Sequence, residues 1–134
     1  MLEKEPVQQR GFHNFYRDGK PVGFQVRYRS TYYRGVWLSM STGFDVTVDG
    51  EKFPRDQITV TVGGRTYTQE EMKTIGNVQW PTYEAAILTV AKPGGLKPGV
   101  HEVAIAWGHR TSYIPGGINV FGGVSPARKL VLVY

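Results

Sequence analysis

Cysteine is absent from this chain of 134 residues. Without thiols there is no disulfide framework and no thiolate metal site, so an apolar core has to hold the fold. Long apolar runs are missing too, and nothing approaches the roughly 18 residues that cross a bilayer as a helix. The opening MLEKEP is charged and lacks the apolar segment of a secretory leader. The expectation is therefore a cytoplasmic protein with no membrane association. Histidine is scarce: His13, His101 and His109 stand far apart, none with a second ligand at H-x-H or H-x3-H spacing. No metal site and no catalytic residue are expected on this chain. It has no G-x-S-x-G elbow and no P-loop, and GGVSPAR lacks the strand–turn–helix context of a phosphate cradle. Asp45, Asp49, Glu51 and Asp56 sit beside turns, where short carboxylates bond the local backbone. That reading is preferred here to a paired-carboxylate glycosidase site.

The formal charge of +5 and a pI near 9.6 would suit an acidic partner. Yet Lys and Arg never run beyond two in succession, and no recognition-helix or zinc-finger pattern accompanies them. Nucleic acid is not an expected partner.

What the chain does contain is turn punctuation and aromatic bulk: 17 glycines, eight prolines, eight tyrosines, six phenylalanines and three tryptophans. This composition predicts an all-β protein, an antiparallel β-sandwich with one short helix, forming a single domain over residues 1–134. The stretch STGFDVTVDGEKFPRDQITVTVGG organises it. Phe44, Val46 and Val48 alternate with polar residues, as do Ile58, Val60 and Val62, which predicts two strands sharing one half-buried sheet. Asp49-Gly50 supplies turn chemistry between them, and Phe53-Pro54 a stiffer bend.

In chain order, Val7 to Tyr16 reads as a first strand interrupted at Gly11. Asp18-Gly19-Lys20-Pro21 turns it into a second strand carrying Phe24, Val26 and Tyr28 on one face. Ser30 to Gly35 is a loop, and Val36 to Met40 a short strand with Trp37 and Leu38 on opposite faces. Thr68-Gln69-Glu70-Glu71 is a capping box that should start a helix over Gln69 to Thr74. Glu84 to Ala91 is a strand that could be buried on both faces, Lys92 to Gly99 a turn, and Val100 to Trp107 a strand with His101, Val103, Ile105 and Trp107 on one side. Beside those core residues His101 is expected to be structural or partly exposed. Lys129 to Tyr134 closes the chain.

Two places offer a working surface. The STYYRG loop, with Tyr32, Tyr33 and Arg34, has the composition of protein interfaces, and one face of the strand around Trp37 is a candidate for cover from outside. The 20 residues between Trp107 and Arg128 hold five glycines and two prolines without a period. A connection that long is usually functional or disordered, although it could equally be a projecting hairpin. His109, Tyr113 and Asn119 are its candidates for contact with substrate.

The blocks MLEKEPVQQRGF, YYRG from Tyr32 to Gly35, VTVDGEKFPRDQITVTVGGRTYTQEEM from Val46 to Met72 and KPGGLKPGVHEV from Lys92 to Val103 resemble the small β subunit of bacterial C-glycoside deglycosidases. The likeness recurs weakly through Ser112-Tyr113-Ile114-Pro115. None of these blocks has a chemical mechanism of its own, and the specificity lies in their combination. The resemblance implies a β-sandwich partner for a larger TIM-barrel α subunit, which would hold a divalent metal, manganese or magnesium, and a histidine base. Such a complex splits the carbon–carbon bond between a 3-oxo-glucosyl unit and an aromatic, flavonoid-type aglycone. This chain would need no cofactor. Under that implication, Tyr32, Tyr33, Arg34 and Trp37 form the subunit interface, and the loop with His109, Tyr113 and Asn119 approaches the barrel mouth. Two other readings compete: a free-standing carbohydrate-binding module stacking a sugar on Trp37, Trp80 or Trp107, and a structural subunit of an unrelated assembly.

Overall fold

The computed structural model describes residues 2–31, 35–110 and 120–134. Its strands are β1 (Val7–Arg17), β2 (Lys20–Tyr28), β3 (Val36–Trp37), β4 (Ser41–Val48), β5 (Glu51–Phe53), β6 (Ile58–Val62), β7 (Arg65–Thr68), β8 (Gln79–Trp80), β9 (Ala86–Ala91), β10 (Gly99–Arg110), β11 (Val120–Val124) and β12 (Arg128–Leu132). One short helix, α1 (Gln69–Met72), follows β7. The first sheet runs β1-β2-β9-β6-β7 and the second β11-β10-β4-β5, with β12 paired to the first half of β10. β3 and β8 make a separate ribbon. All pairings are antiparallel, and the alternating apolar residues of both sheets meet in one interior. The fold is the expected all-β sandwich.

The organising stretch departs from expectation in one respect. β4 and β6 do not share a sheet; they lie in opposite ones. The Asp49-Gly50 turn, with φ of 50° and 85°, folds β5 back on β4 only as far as Phe53. Pro54 then has no N–H to continue the ladder, and a 3-10 turn over Arg55–Gln57 carries the chain across to the first sheet. The alternation was a signal for strands, and the proline decided which sheet each joined.

The connection after Trp107 begins as the hairpin that was one of its two readings. β10 continues to Arg110 and β11 returns beside it, from Arg110 opposite Val120 to Ala106 opposite Val124. Gly43, Gly108 and Gly122 lie side by side on three adjacent strands, so these glycines belong to a ladder. Three smaller differences concern ends. β3 stops at Trp37, because the amides of Leu38 and Ser39 turn to the carbonyls of Val78 and Ile75 and make Leu38–Met40 a 3-10 turn. The helix ends at Met72, and its last turn tightens into bonds three residues apart through Ile75. β9 buries only Ala86, Leu88 and Val90, leaving Ile87 and Thr89 half-buried on the outer face. The capping box forms as expected, with both reciprocal bonds between Thr68 and Glu71.

Where β5 ends, the edge of β4 would face the interior without a partner. The side chain of Gln69 fills that gap: the Phe44 amide donates to its Oε1 at 2.6 Å, and its Nε2 donates to the Phe44 carbonyl at 2.9 Å. Arg55 extends the seal, donating to the Thr42 carbonyl at 2.6 Å and forming a two-point pair with Asp45 at 2.9 and 3.1 Å. Gln69→Ala should therefore leave a buried amide and carbonyl unbonded and cost about 2–4 kcal/mol in urea denaturation. Gln69→Glu should also destabilise, because an acceptor then meets the Phe44 carbonyl. Wild-type stability in both variants would contradict this role.

Candidate functional site

One end of the sandwich gathers the residues of interest. β2 ends at Tyr28 opposite Ala86, the first residue of β9, and Ser41, the first residue of β4, pairs with His109 near the end of β10. Their inner faces build an aromatic cluster. Phe44 stacks on Trp107 at 6.2 Å between centroids, Trp80 meets Trp107 edge-on at 5.1 Å, and Tyr28 touches all three rings. Each polar tip has a partner: the Trp107 Nε1 donates to the Ser41 hydroxyl at 3.1 Å, and the Trp80 Nε1 donates to the Glu84 carbonyl at 2.6 Å. Burial raises the Tyr28 phenol above its ordinary pKa, against a hydrogen bond with Thr31.

The predicted residues are distributed around this cluster. His109 lies inside it, 3% exposed, its ring stacked on Trp107 at 4.9 Å. Burial lowers its pKa, so the ring is neutral at physiological pH. Trp37 stands at the same end with 43% of its surface exposed, while its neighbour Leu38 is buried. Tyr32, Tyr33, Arg34, Tyr113 and Asn119 lie outside the described residues. The cluster also presents one residue that reading by period missed. Tyr83 is 80% exposed on the turn closed by the Glu84 amide on the Pro81 carbonyl, just after Trp80. A lone tyrosine in a turn has no periodic signal, so only its exposure marks it. Trp80 and Trp107, at 1% and 2% exposure, are core residues and unavailable for stacking on a sugar.

The family model described as C-glycoside deglycosidase beta subunit matches residues 2–113. A protein named C-glycoside deglycosidase beta subunit from Eubacterium cellulosolvens is 39% identical over 129 residues, covering 96% of this chain and 86% of that protein. One of the same name from Arthrobacter globiformis is 34% identical over 62 residues, 46% of this chain and 44% of its own length. The chain belongs to the C-glycoside deglycosidase beta subunit family.

For a C-glycoside deglycosidase beta subunit, the question is whether this chain carries chemistry itself. Among the described residues no three His, Asp or Glu side chains are grouped as metal ligands. One pair has the form of a catalytic dyad: His101 Nδ1 lies 2.7 Å from the Asp49 carboxylate. The other ring nitrogen, however, lies 2.6 Å from the Lys97 carbonyl. Both nitrogens face acceptors, so no lone pair remains to take a proton from a substrate. The pair is a staple that ties the turn at Asp49 and the turn at Lys97 to the start of β10. His13 lies elsewhere, its Nδ1 2.7 Å from the Asn14 carbonyl and its ring stacked on Tyr134.

The staple is pH-dependent in a definite direction. Burial opposes charge on His101, but the Lys97 carbonyl and the Asp49 carboxylate together outweigh it and raise the pKa. Asp49 is held below the usual carboxylate range by the Glu102 amide and then by His101. Stabilisation from His101 is thus complete below its unfolded pKa of about 6.5 and is lost as pH rises through the higher folded value. The Asp49 contribution is present above about 3.9 and is lost as pH falls through the lower folded value. Asp49 is half exposed, so solvent screening limits the pair. His101→Gln should cost about 0.5–1 kcal/mol near pH 6 and flatten the alkaline fall in stability, read by urea titrations from pH 5 to 9. A pH profile unchanged by the substitution would contradict the staple.

Proposed function

We propose that this chain is the small subunit of a heteromeric C-glycoside deglycosidase and acts as a single β-sandwich domain that binds and shapes a TIM-barrel α subunit. The observation that carries the reading is the family match across residues 2–113, joined to a site in which His101 is held at both ring nitrogens and His109 is buried on Trp107. The described residues offer no ligand set for a divalent metal, so manganese or magnesium, with the proton-abstracting base, is assigned to the partner.

The substrate is a 3-oxo C-glucoside with an aromatic, flavonoid-type aglycone. The 3-oxo group acidifies the C2 proton. Its removal gives an enediolate, which forms a C1–C2 double bond as the C1–aglycone bond breaks; the bond's electron pair leaves with the aglycone carbon, which takes up a proton, so the reaction is a lyase β-elimination. What a β domain can add is enclosure. TIM-barrel sites open at the C-terminal face among loops, and a rigid neighbour there excludes water and narrows the aglycone pocket. Buried and neutral, His109 anchors the base of the segment carrying Tyr113 and Asn119, which approaches the barrel mouth. Tyr32, Tyr33, Arg34 and Trp37 form the subunit interface. Reaction and assembly belong in the cytoplasm.

The first test is co-expression with the barrel subunit and purification through a tag on this chain. Stoichiometric co-elution, with metal-dependent aglycone release only from the complex, is expected. A chain that elutes alone and leaves the partner's turnover unchanged would overturn the assignment. Within an assembled complex, Tyr33→Ala with Arg34→Ala should weaken association by several kcal/mol, about 2–4 for each hot spot. Unchanged co-purification would remove both residues from the interface. Trimming residues 111–119 should alter kcat/KM among aglycones while assembly persists, and wild-type values for several aglycones would refute the pocket role.

A further inference from the structure

The solvent face of the first sheet carries Arg27 opposite Ile87 and, next to that pair, rows of uncharged polar residues. Its cross-strand rows place Gln25 beside Thr89, Thr89 beside Thr59, and Thr59 beside Thr68. Next to them, Thr61 pairs with Thr66, their hydroxyls 2.7 Å apart, and the Gln25 amide donates to Thr89 at 3.0 Å. One row further along, Phe15 lies opposite Gly23 and Gly23 opposite Ala91. The glycine is obligatory, since a Cβ there would collide with the Val90 carbonyl. This leaves a low floor between Phe15 on one wall and the Gln25–Thr89–Thr59 row on another, a shallow depression of about 530 Å3. Arg17 is the one charged residue that lines it.

These features select a ligand by chemistry. Hydroxyls and amides both donate and accept, and on a sheet they recur about 4.8 Å apart across strands and about 7 Å apart along them. An array of short groups with both hydrogen-bonding senses suits a neutral polyol, whose hydroxyls also do both. A phosphate or a nucleic-acid backbone would ask for several cations. Phe15 adds an apolar surface for the C–H face of a pyranose ring. We infer that this depression is a binding site for a neutral saccharide, on the outer face of the first sheet and away from the aromatic end of the sandwich. It uses none of the three tryptophans.

The test is an NMR titration of the full chain with methyl β-glucoside, cellobiose and glucose 6-phosphate, and it requires no partner subunit. Saturable shifts are expected at the amides of Gln25, Thr59 and Thr89 with the two neutral sugars, no stronger response to the phosphate, and unchanged tryptophan fluorescence. Phe15→Leu, which keeps apolar volume, and Thr59→Val should each weaken binding at least about fivefold, whereas Thr59→Ser should retain it. Absence of saturable shifts, shifts centred on Trp37, or affinity unaffected by both variants would overturn the inference. So would shifts at these amides on adding the partner subunit but not on adding sugar, which would make this face a protein contact. The assembly and turnover of the deglycosidase complex do not enter this readout, so either proposal can fail alone.

Discussion

A strand edge turned inward between two sheets leaves amides and carbonyls that water cannot reach, and each such group costs about 1–3 kcal/mol. This sandwich meets that constraint with glutamine. Gln69 offers Phe44 both an acceptor and a donor, as a neighbouring peptide unit would, at the place where β5 is too short to continue. At the other seam Gln9 makes the same pair of bonds in a solvent-exposed position, its Oε1 and Nε2 bonded to the amide and carbonyl of Val131, with the Asn14 amide on the Tyr134 carbonyl beside it. With both seams closed, Trp107 can sit against Phe44, Trp80 and Tyr28 in a dry interior. Truncating a buried ring of this kind typically costs about 3–5 kcal/mol, so the end of the sandwich that holds Trp37 and Tyr83 rests on a rigid base.

The polar groups that resemble catalytic equipment are used in the same way. Glu3 accepts from the amides of Gln9 and Arg10 and from Arg128, which also donates to the Val7 carbonyl. Although burial alone would raise its pKa, these donors leave it lowered. Asp45 is held low by Arg55, and Asp49 by the Glu102 amide. Each carboxylate fastens one segment to another: the N-terminal residues to β1 and β12, the β4 edge to the turn after β5, the β4–β5 turn to β10.

Much of this was legible from period and punctuation. The alternation at Phe44–Val48, Ile58–Val62 and Val103–Trp107 marked real strands, and the Thr68–Glu71 box marked the real start of a helix. Local signals do not carry sheet membership, however. The same alternation describes β4 and β6, and the crossing between them depends on where Pro54 interrupts a ladder whose other strands come from distant sequence. Glycine left two readings open for a related reason. Gly108 and Gly122 look like loop residues in one dimension, and only the neighbouring Gly43 shows that three strands run side by side there. Of the candidate site, Trp37 was legible as one side of a strand against Leu38. The burial of His109 was not, because the residue sits beyond the last periodic position and is covered through Trp107.

A residue that breaks a bond must bring a lone pair, an acidic proton or a metal to the reacting atom, and must hold it free until the substrate arrives. Among the described residues His101 has spent that capacity on the Lys97 carbonyl and Asp49, and His109 is turned into the aromatic interior. Among the described residues, exposed aromatic surface at Trp37 and Tyr83 and a hydroxyl-lined face on the first sheet are available. Such groups act through burial and hydrogen bonding with what settles on them.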